Sequence, residues 1–213
     1  MVSTTDCKWD TIIPLEPLWE QYERVIKDNG AIVLTASQPF TSALVMSNPK
    51  LFKYEWIWDK RIPGGMGYAR FQPMRQHENV LVFCKGKTIY NKQMTKRDKP
   101  IKEGGKKKSE SSPIANFNDM GGKVYTHKNP TTFLSFQKIR KGSLHPTQKP
   151  VALFEYLIRT YTNEGEVVLD NCIGSGTTAI ACLNTGRFFI GIEQDEHYCN
   201  IARQRIAEWH EGR

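Results

Sequence analysis

A chain of 213 residues with a net charge of +8, 39% hydrophobic and 24% charged, suits one globular domain with room for an inserted subregion. No apolar run approaches the ~18 residues that a membrane-spanning helix needs, and Met1–Asp10 is polar, so neither a membrane span nor a secretory leader is expected. The cysteines (Cys7, Cys84, Cys172, Cys182, Cys199) are scattered without a Cys-x-x-Cys pair and the histidines do not fall at metal-ligand spacings, so reduced thiols, no metal site and a cytoplasmic location are expected.

From Leu15 to Lys85 helical and strand-like patterns alternate. Leu18, Trp19, Tyr22, Val25 and Ile26 share one face of a helix predicted over Leu15–Lys27, and Asn29-Gly30 ends it. Ala31–Ser37 is a near-continuous apolar run, the pattern of a strand buried on both faces of a parallel sheet. Lys53–Asp59 and Asn79–Cys84 read as further strands. Tyr54, Trp56 and Trp58 alternate along one side of the first, where core packing outweighs a role in stacking on a nucleobase. His77-Glu78 has the makings of an acid–base pair, but no partner motif accompanies it.

Residues 86–142 are rich in Lys, Gly, Ser, Asn and Pro, with isolated strand-like pieces near Val124 and Phe133, and read as long loops with little core of their own. The charge is concentrated nearby. Between Lys85 and Lys108 lie ten basic residues opposed only by Asp98 and Glu103, so this stretch alone accounts for the chain's net +8. Lys92, Lys96, Arg97, Lys99, Lys106, Lys107 and Lys108 are the candidates to meet a polyanion, although a solvated loop would look the same.

Order returns at Pro150–Thr162, an amphipathic helix with Leu153, Phe154, Leu157, Ile158 and Tyr161 as its stripe. Then come strand Glu166–Asp170, a glycine turn, helix Gly176–Asn184, strand Arg187–Glu193 and a last helix over Asp195–Trp209, whose start Asp195 and Glu196 favour through its dipole. Strand, turn, helix and strand make a βαβ unit, which implies parallel pairing and a doubly wound, mostly parallel α/β sheet.

The turn, Asn171-Cys172-Ile173-Gly174-Ser175-Gly176-Thr177-Thr178-Ala179, lets the backbone turn tightly and lets a ligand approach it closely, with the amides of the next helix facing that ligand. Glu193 stands 17 residues after Gly176, near the ~20 expected of an acid that binds a ribose hydroxyl. A dinucleotide fits Gly174-x-Gly176-x-x-Ala179 as well, but the unit lies near the C-terminus without a second nucleotide-binding half following it. Asp170, at the strand tip, suits a ligand that is cationic there.

Asp170-Asn-Cys-Ile-Gly-Ser-Gly-Thr-Thr178, preceded by His145-Pro-Thr-Gln-Lys-Pro150, resembles the cofactor motif of DNA methyltransferases that act on exocyclic amines. The likeness runs through nearly the whole chain: Cys7-Lys8-Trp9-Asp10, Ser37-Gln38-Pro39-Phe40, Glu55–Lys60 and Arg75–Phe83 are similar to phage-type members. The order of elements is that of the permuted beta class, with the basic zone at the target-recognition position. The resemblance implies a Rossmann-like methyltransferase sheet, S-adenosylmethionine as cofactor and double-stranded DNA as partner, in a bacterial or phage-infected cell. It implies that Asp170, Gly174, Ser175, Gly176, Thr177, Thr178 and Glu193 line the cofactor pocket, with Lys149 and Pro150 at its edge. It further implies target recognition by 86–142 and methylation of adenine N6 ahead of cytosine N4.

Family members carry an Asp/Asn-Pro-Pro-Tyr-like motif on a strand tip, followed by an aromatic-Gly-Thr-Thr stretch. Here Val2-Ser3-Thr4-Thr5 stands at the latter and Met1 where a proline is expected, so no catalytic residue is assigned and the motif is expected upstream of Met1. A second chain supplying the strand would complete the enzyme. A non-catalytic DNA- or cofactor-binding remnant is the alternative.

Overall fold

The computed structural model describes residues 13–102 and 123–212. In chain order they form α1 (Leu15–Val25), β1 (Ile32–Ala36), α2 (Phe40–Ser47), β2 (Phe52–Gly64), β3 (Arg75–Phe83), β4 (Thr95–Lys102), β5 (Val124–Lys128), β6 (Phe133–Ser135), α3 (Val151–Tyr161), β7 (Val167–Asp170), α4 (Thr177–Thr185), β8 (Phe188–Gly191) and α5 (Glu196–Glu211). Two compact units result. One comprises the chain up to Asn91 and from Thr132 onward, the other Lys92–Thr131.

In the first unit, alternation along β3 sets the architecture. Val80 and Val82 point to one side and Leu81 and Phe83 to the other, all at 0% exposure. The first pair packs with Trp56 and Trp58 of the neighbouring β2 and with Leu153, Leu157 and Tyr161, so α3 closes that face. The second packs with Trp19, Ile32, Leu44 and Leu51, so α1 and α2 close the other. Helices on both faces make this a doubly wound α/β arrangement. The pairing is mixed: β1 and β2 flank β3 antiparallel, and β6 runs parallel to β2 from Ile57↔Phe133 to Asp59↔Ser135. The apolar run at β1 is thus bonded antiparallel on one edge. The rings of Tyr54, Trp56 and Tyr161 are tied by hydrogen bonds from the Trp56 indole to the Tyr161 hydroxyl (2.6 Å) and between the two tyrosine hydroxyls (2.8 Å). Burial therefore leaves no unsatisfied polar atom on those three rings.

β7 and β8 pair in parallel from Val167↔Phe188 to Asp170↔Gly191, as the βαβ pattern predicts. Val168 and Phe189 pack under α3 and α4 against Ile158, Ala181 and Cys182. α5 begins at Asp195, whose carboxylate accepts from the amides of His197 and Tyr198 and so caps two of the helix's free donors.

The second unit is a ribbon, β4 antiparallel to β5, whose register shifts between Lys96↔His127 and Ile101↔Tyr125. Nearly every described residue of it is exposed, so backbone ladder bonds rather than a core hold it.

Candidate cofactor site

The glycine turn after β7 is built around two carboxylates. Asp170 accepts from the Cys172 amide at 3.0 Å and, by a short bond, from the Thr178 hydroxyl, which ties the strand tip to the first turn of α4. Glu193 accepts from the Gly174 amide at 2.9 Å and the Asp195 amide at 3.0 Å, fixing the turn to the end of β8. Gly174 and Gly176 have left-handed φ of 52° and 81°. A Cβ at Gly176 would lie 3.0 Å from the Ala202 Cβ, so glycine there also lets α5 pack against the turn.

His145 borders the turn. Its ring lies 4.3 Å from that of Tyr198, and its Nδ1 accepts from the Thr147 amide at 3.2 Å, which orders the bend at Pro146. Burial holds the imidazole below its usual pKa, against the opposing pull of Glu193. Burial also pushes the Cys172 thiol up, with Asp170 and Glu193 adding to it, so it is a poor nucleophile. Tyr22 of α1 donates to the Asn171 side chain at 3.0 Å, and burial pushes its pKa up to about 12. In the sequence Tyr22 shows only as one position of a helical stripe, and nothing there links it to Asn171.

These groups open on a cavity of about 910 Å³, within the upper range of small-molecule sites. Asp170, Gly174, Ser175, Thr177, Thr178 and Lys149 line it. Gly176 and Pro150 stand as the N-caps of α4 and α3, and Glu193 turns its carboxylate to the backbone; these three do not line the cavity. Much of the remaining lining is apolar and comes from α1, α2, β1, α3 and β7–β8, including Leu18, Leu44, Val33, Leu157, Leu169 and Ile190. Among the described residues β1 and β7 each have one bonded edge, and both strands border the cavity.

His77-Glu78 resolves as ionic packing. Glu78 meets Lys60 at 3.2 Å and Lys149 at 3.8 Å, so it links β2, β3 and the segment before α3. Of the basic candidates, Lys92, Lys96, Arg97 and Lys99 fall in the ribbon unit, where Arg97 donates to the His127 carbonyl at 3.1 Å. Lys106, Lys107, Lys108 and the Cys7–Asp10 stretch lie outside the described residues.

A parallel strand pair with a glycine turn, an acid at each strand end and an adjoining cavity defines a Rossmann-like ligand-binding domain. Residues 8–204 match the family model described as DNA methylase, so the chain belongs to the N6/N4 DNA methyltransferase family. It is 28% identical to the type II methyltransferase M.HpaI of Haemophilus parainfluenzae over 195 residues, which are 88% of this chain and 56% of that protein. The chain therefore spans about half the length of that curated relative. The crystal structure of the M1.HpyAVI–SAM complex superposes with a TM-score of 0.63 at 26% identity, covering 93% of this chain and 85% of that one. PvuII DNA methyltransferase, cytosine-N4-specific, shares the fold with a TM-score of 0.62 at 13% identity, over 96% and 76% of the two chains.

Proposed function

We propose that this chain binds S-adenosylmethionine and duplex DNA as part of a site-specific methyltransferase for an exocyclic amine, adenine N6 ahead of cytosine N4. The observation that carries the reading is the Asp170–Thr178 and Glu193–Gly174 framework around a glycine turn that opens on the cavity, in a chain of this family. When bound, the cofactor supplies the methyl group as a sulfonium electrophile. Asp170 offers negative charge to its cationic end, and Gly174, Ser175, Gly176, Thr177 and Thr178 offer a turn that a ligand can approach closely. Lys149 and Pro150 form the edge of that site. Glu193 acts by holding the turn, its carboxylate being engaged by the Gly174 and Asp195 amides.

The DNA partner is read from charge. Residues 86–142 serve target recognition, with Lys92, Lys96, Arg97, Lys99, Lys106, Lys107 and Lys108 toward phosphates. A base held in a duplex must be turned out before its amine can be reached, at a cost of a few kcal/mol. The bacterial relatives and the DNA substrate favour the bacterial cytoplasm as the place of action.

A second reading, cofactor and DNA binding without catalysis, is favoured by the open edges of β1 and β7, two strands that line the cavity and each have one ladder partner among the described residues. An extended segment seated between them, from outside the described residues or from a second chain, would carry the Asp-Pro-Pro-Tyr-like motif and complete the centre. Tritium transfer from labelled S-adenosylmethionine to mixed-sequence duplex tests both readings, comparing the chain alone with one extended by such a motif. Transfer by the chain alone removes the need for an added motif, and transfer only after extension supports the completed-centre reading. Cofactor and DNA binding with no transfer in either form supports the second reading. If neither ligand binds, both readings fail.

A further inference from the structure

The rim at the carboxyl ends of β1 and β2 carries bare apolar side chains set in positive charge. Residues 65–74 join β2 to β3, and within them Met66, Tyr68 and Phe71 are 73%, 65% and 85% exposed. Clustered apolar side chains this bare mark an interaction surface. The loop is nonetheless folded. Gly65, left-handed at φ 86°, opens a 3₁₀ turn over Met66–Tyr68. The amides of Tyr68, Ala69, Phe71 and Gln72 donate to the carbonyls of Gly65, Met66, Tyr68 and Tyr68 at 2.9–3.1 Å. The three side chains therefore project from a preformed turn.

Charge surrounds them. Lys60, Arg61, Arg70 and Arg75 fall in a stretch, 60–75, without an acidic residue, and Lys138, Arg140, Lys141 and Lys149 in another, 136–149. The fold stitches the two together. The Phe136 and Lys138 amides donate to the Asp59 and Lys60 carbonyls at 3.2 and 3.1 Å, and the Lys138 ammonium donates to the Pro63 carbonyl at 3.3 Å. The neighbouring acids are engaged: Asp59 by Gln76, Ser135 and the Arg61 amide, Glu78 by Lys60 and Lys149. Arg70, Arg75, Arg140 and Lys141 are exposed.

The Glu78–Lys149 pair also sets the distance to the cofactor cavity, because Thr147, Gln148 and Lys149 line it. Three residues of β3, at about 3.3 Å each, place Arg75, where the loop rejoins the sheet, about 10 Å from Glu78. That spacing is the length of about three base steps of a duplex.

We propose that the 65–74 loop is a wedge for duplex DNA: Phe71, with Tyr68 and Met66, enters the stack beside the base that is turned out, while Arg70, Arg75, Arg140 and Lys141 hold the flanking phosphates. Apolar and aromatic side chains stack between bases, and a cationic collar matches the backbone on either side. The proposal rests on the DNA-methyltransferase reading above.

The test is fluorescence anisotropy of a labelled mixed-sequence duplex titrated with the full chain over a range of salt. Met66→Ser/Tyr68→Ser/Phe71→Ser, all at exposed positions, should weaken binding about tenfold without changing the salt slope. Arg70→Gln/Arg75→Gln should lower the slope by about 2. Phe71→Trp should add emission, relative to the parent, that saturating duplex quenches. If the parent binds and the triple variant binds equally well, with the added emission of Phe71→Trp unchanged by duplex, the wedge is overturned while the methyltransferase reading stands. If the triple variant instead turns a dimer into a monomer in sedimentation with DNA affinity unaltered, the loop is a contact between copies and the wedge is likewise overturned. If the parent binds no duplex, both fail.

Discussion

Val80–Phe83 of β3 and the strand pair β7–β8 are both apolar runs in sequence, and they differ sharply in burial. Val80 to Phe83 of β3 are wholly buried because β1 and β2 pair on its two edges and helices close both faces. β7 and β8 are covered on one face by α3 and α4, and the other keeps Val167, Leu169, Phe188 and Ile190 at 57%, 42%, 67% and 55% exposure. An apolar strand shows that something covers it, without showing that the cover is part of the same fold. Here Val167, Leu169 and Ile190 of the bare face line the cavity at the candidate cofactor site, so the less consolidated strand pair is the one that borders that cavity.

Four predictions break or sharpen that contrast. The largest effect is expected from Trp58→Ala, which removes a ring 1% exposed whose indole donates to the Phe136 carbonyl at 2.7 Å. Chemical denaturation should show a loss of about 3–5 kcal/mol, against under about 1 kcal/mol for Leu169→Ala on the bare face. Equal losses would mean that β7–β8 is as consolidated as β3. Next, Asp170→Asn should weaken S-adenosylmethionine binding, read by calorimetric titration, by about 10- to 100-fold, the worth of hydrogen bonds to a charged group. Unchanged affinity would remove Asp170 from the ligand's cationic end.

Gly176→Ala combines a φ of 81° with a Cβ 3.0 Å from Ala202. It should cost about 1–2 kcal/mol, seen as a lower thermal midpoint; an unmoved midpoint would show that α5 yields freely. The smallest effect belongs to His145. Burial depresses its pKa from 6.5, so the folded state binds its proton less readily than the unfolded chain does. That contribution to stability is complete above pH 6.5 and is lost as pH falls through the folded value. Midpoints measured from pH 7.5 to 5 should fall less steeply in His145→Gln than in the parent.

Much of this was legible because local rules were strong. The stripe from Leu18 to Ile26 and the one from Leu153 to Tyr161 marked α1 and α3, and the strand–glycine–helix–strand order placed β7, α4 and β8 within one or two residues. α2 lacks a clear stripe, its buried side chains being Thr41 and Leu44 alone, and it escaped the pattern. β4 escaped for another reason: Thr95–Lys102 is charged and exposed, and its strand conformation comes from backbone pairing with β5. The partners of the site carboxylates were also hidden. Nothing in a chain of letters shows that Glu193 takes the Gly174 amide or that Glu78 meets Lys149, since those pairs form only when strands and turns are brought together.

Charge shows the same division. By count, all the excess lies between Lys85 and Lys108 and the remainder of the chain is neutral. Folding places 136–138 along β2 and so brings the acid-free basic stretches 60–75 and 136–149 side by side, while acids such as Glu155 and Glu166 are engaged by Arg159 and Lys27. The sequence by itself determined the βαβ unit, the glycine turn and the family, because these depend on residue order and on backbone conformations that few residues allow. The tertiary structure alone decided which apolar faces stay open and which charges collect, because both depend on distances between segments far apart in the chain.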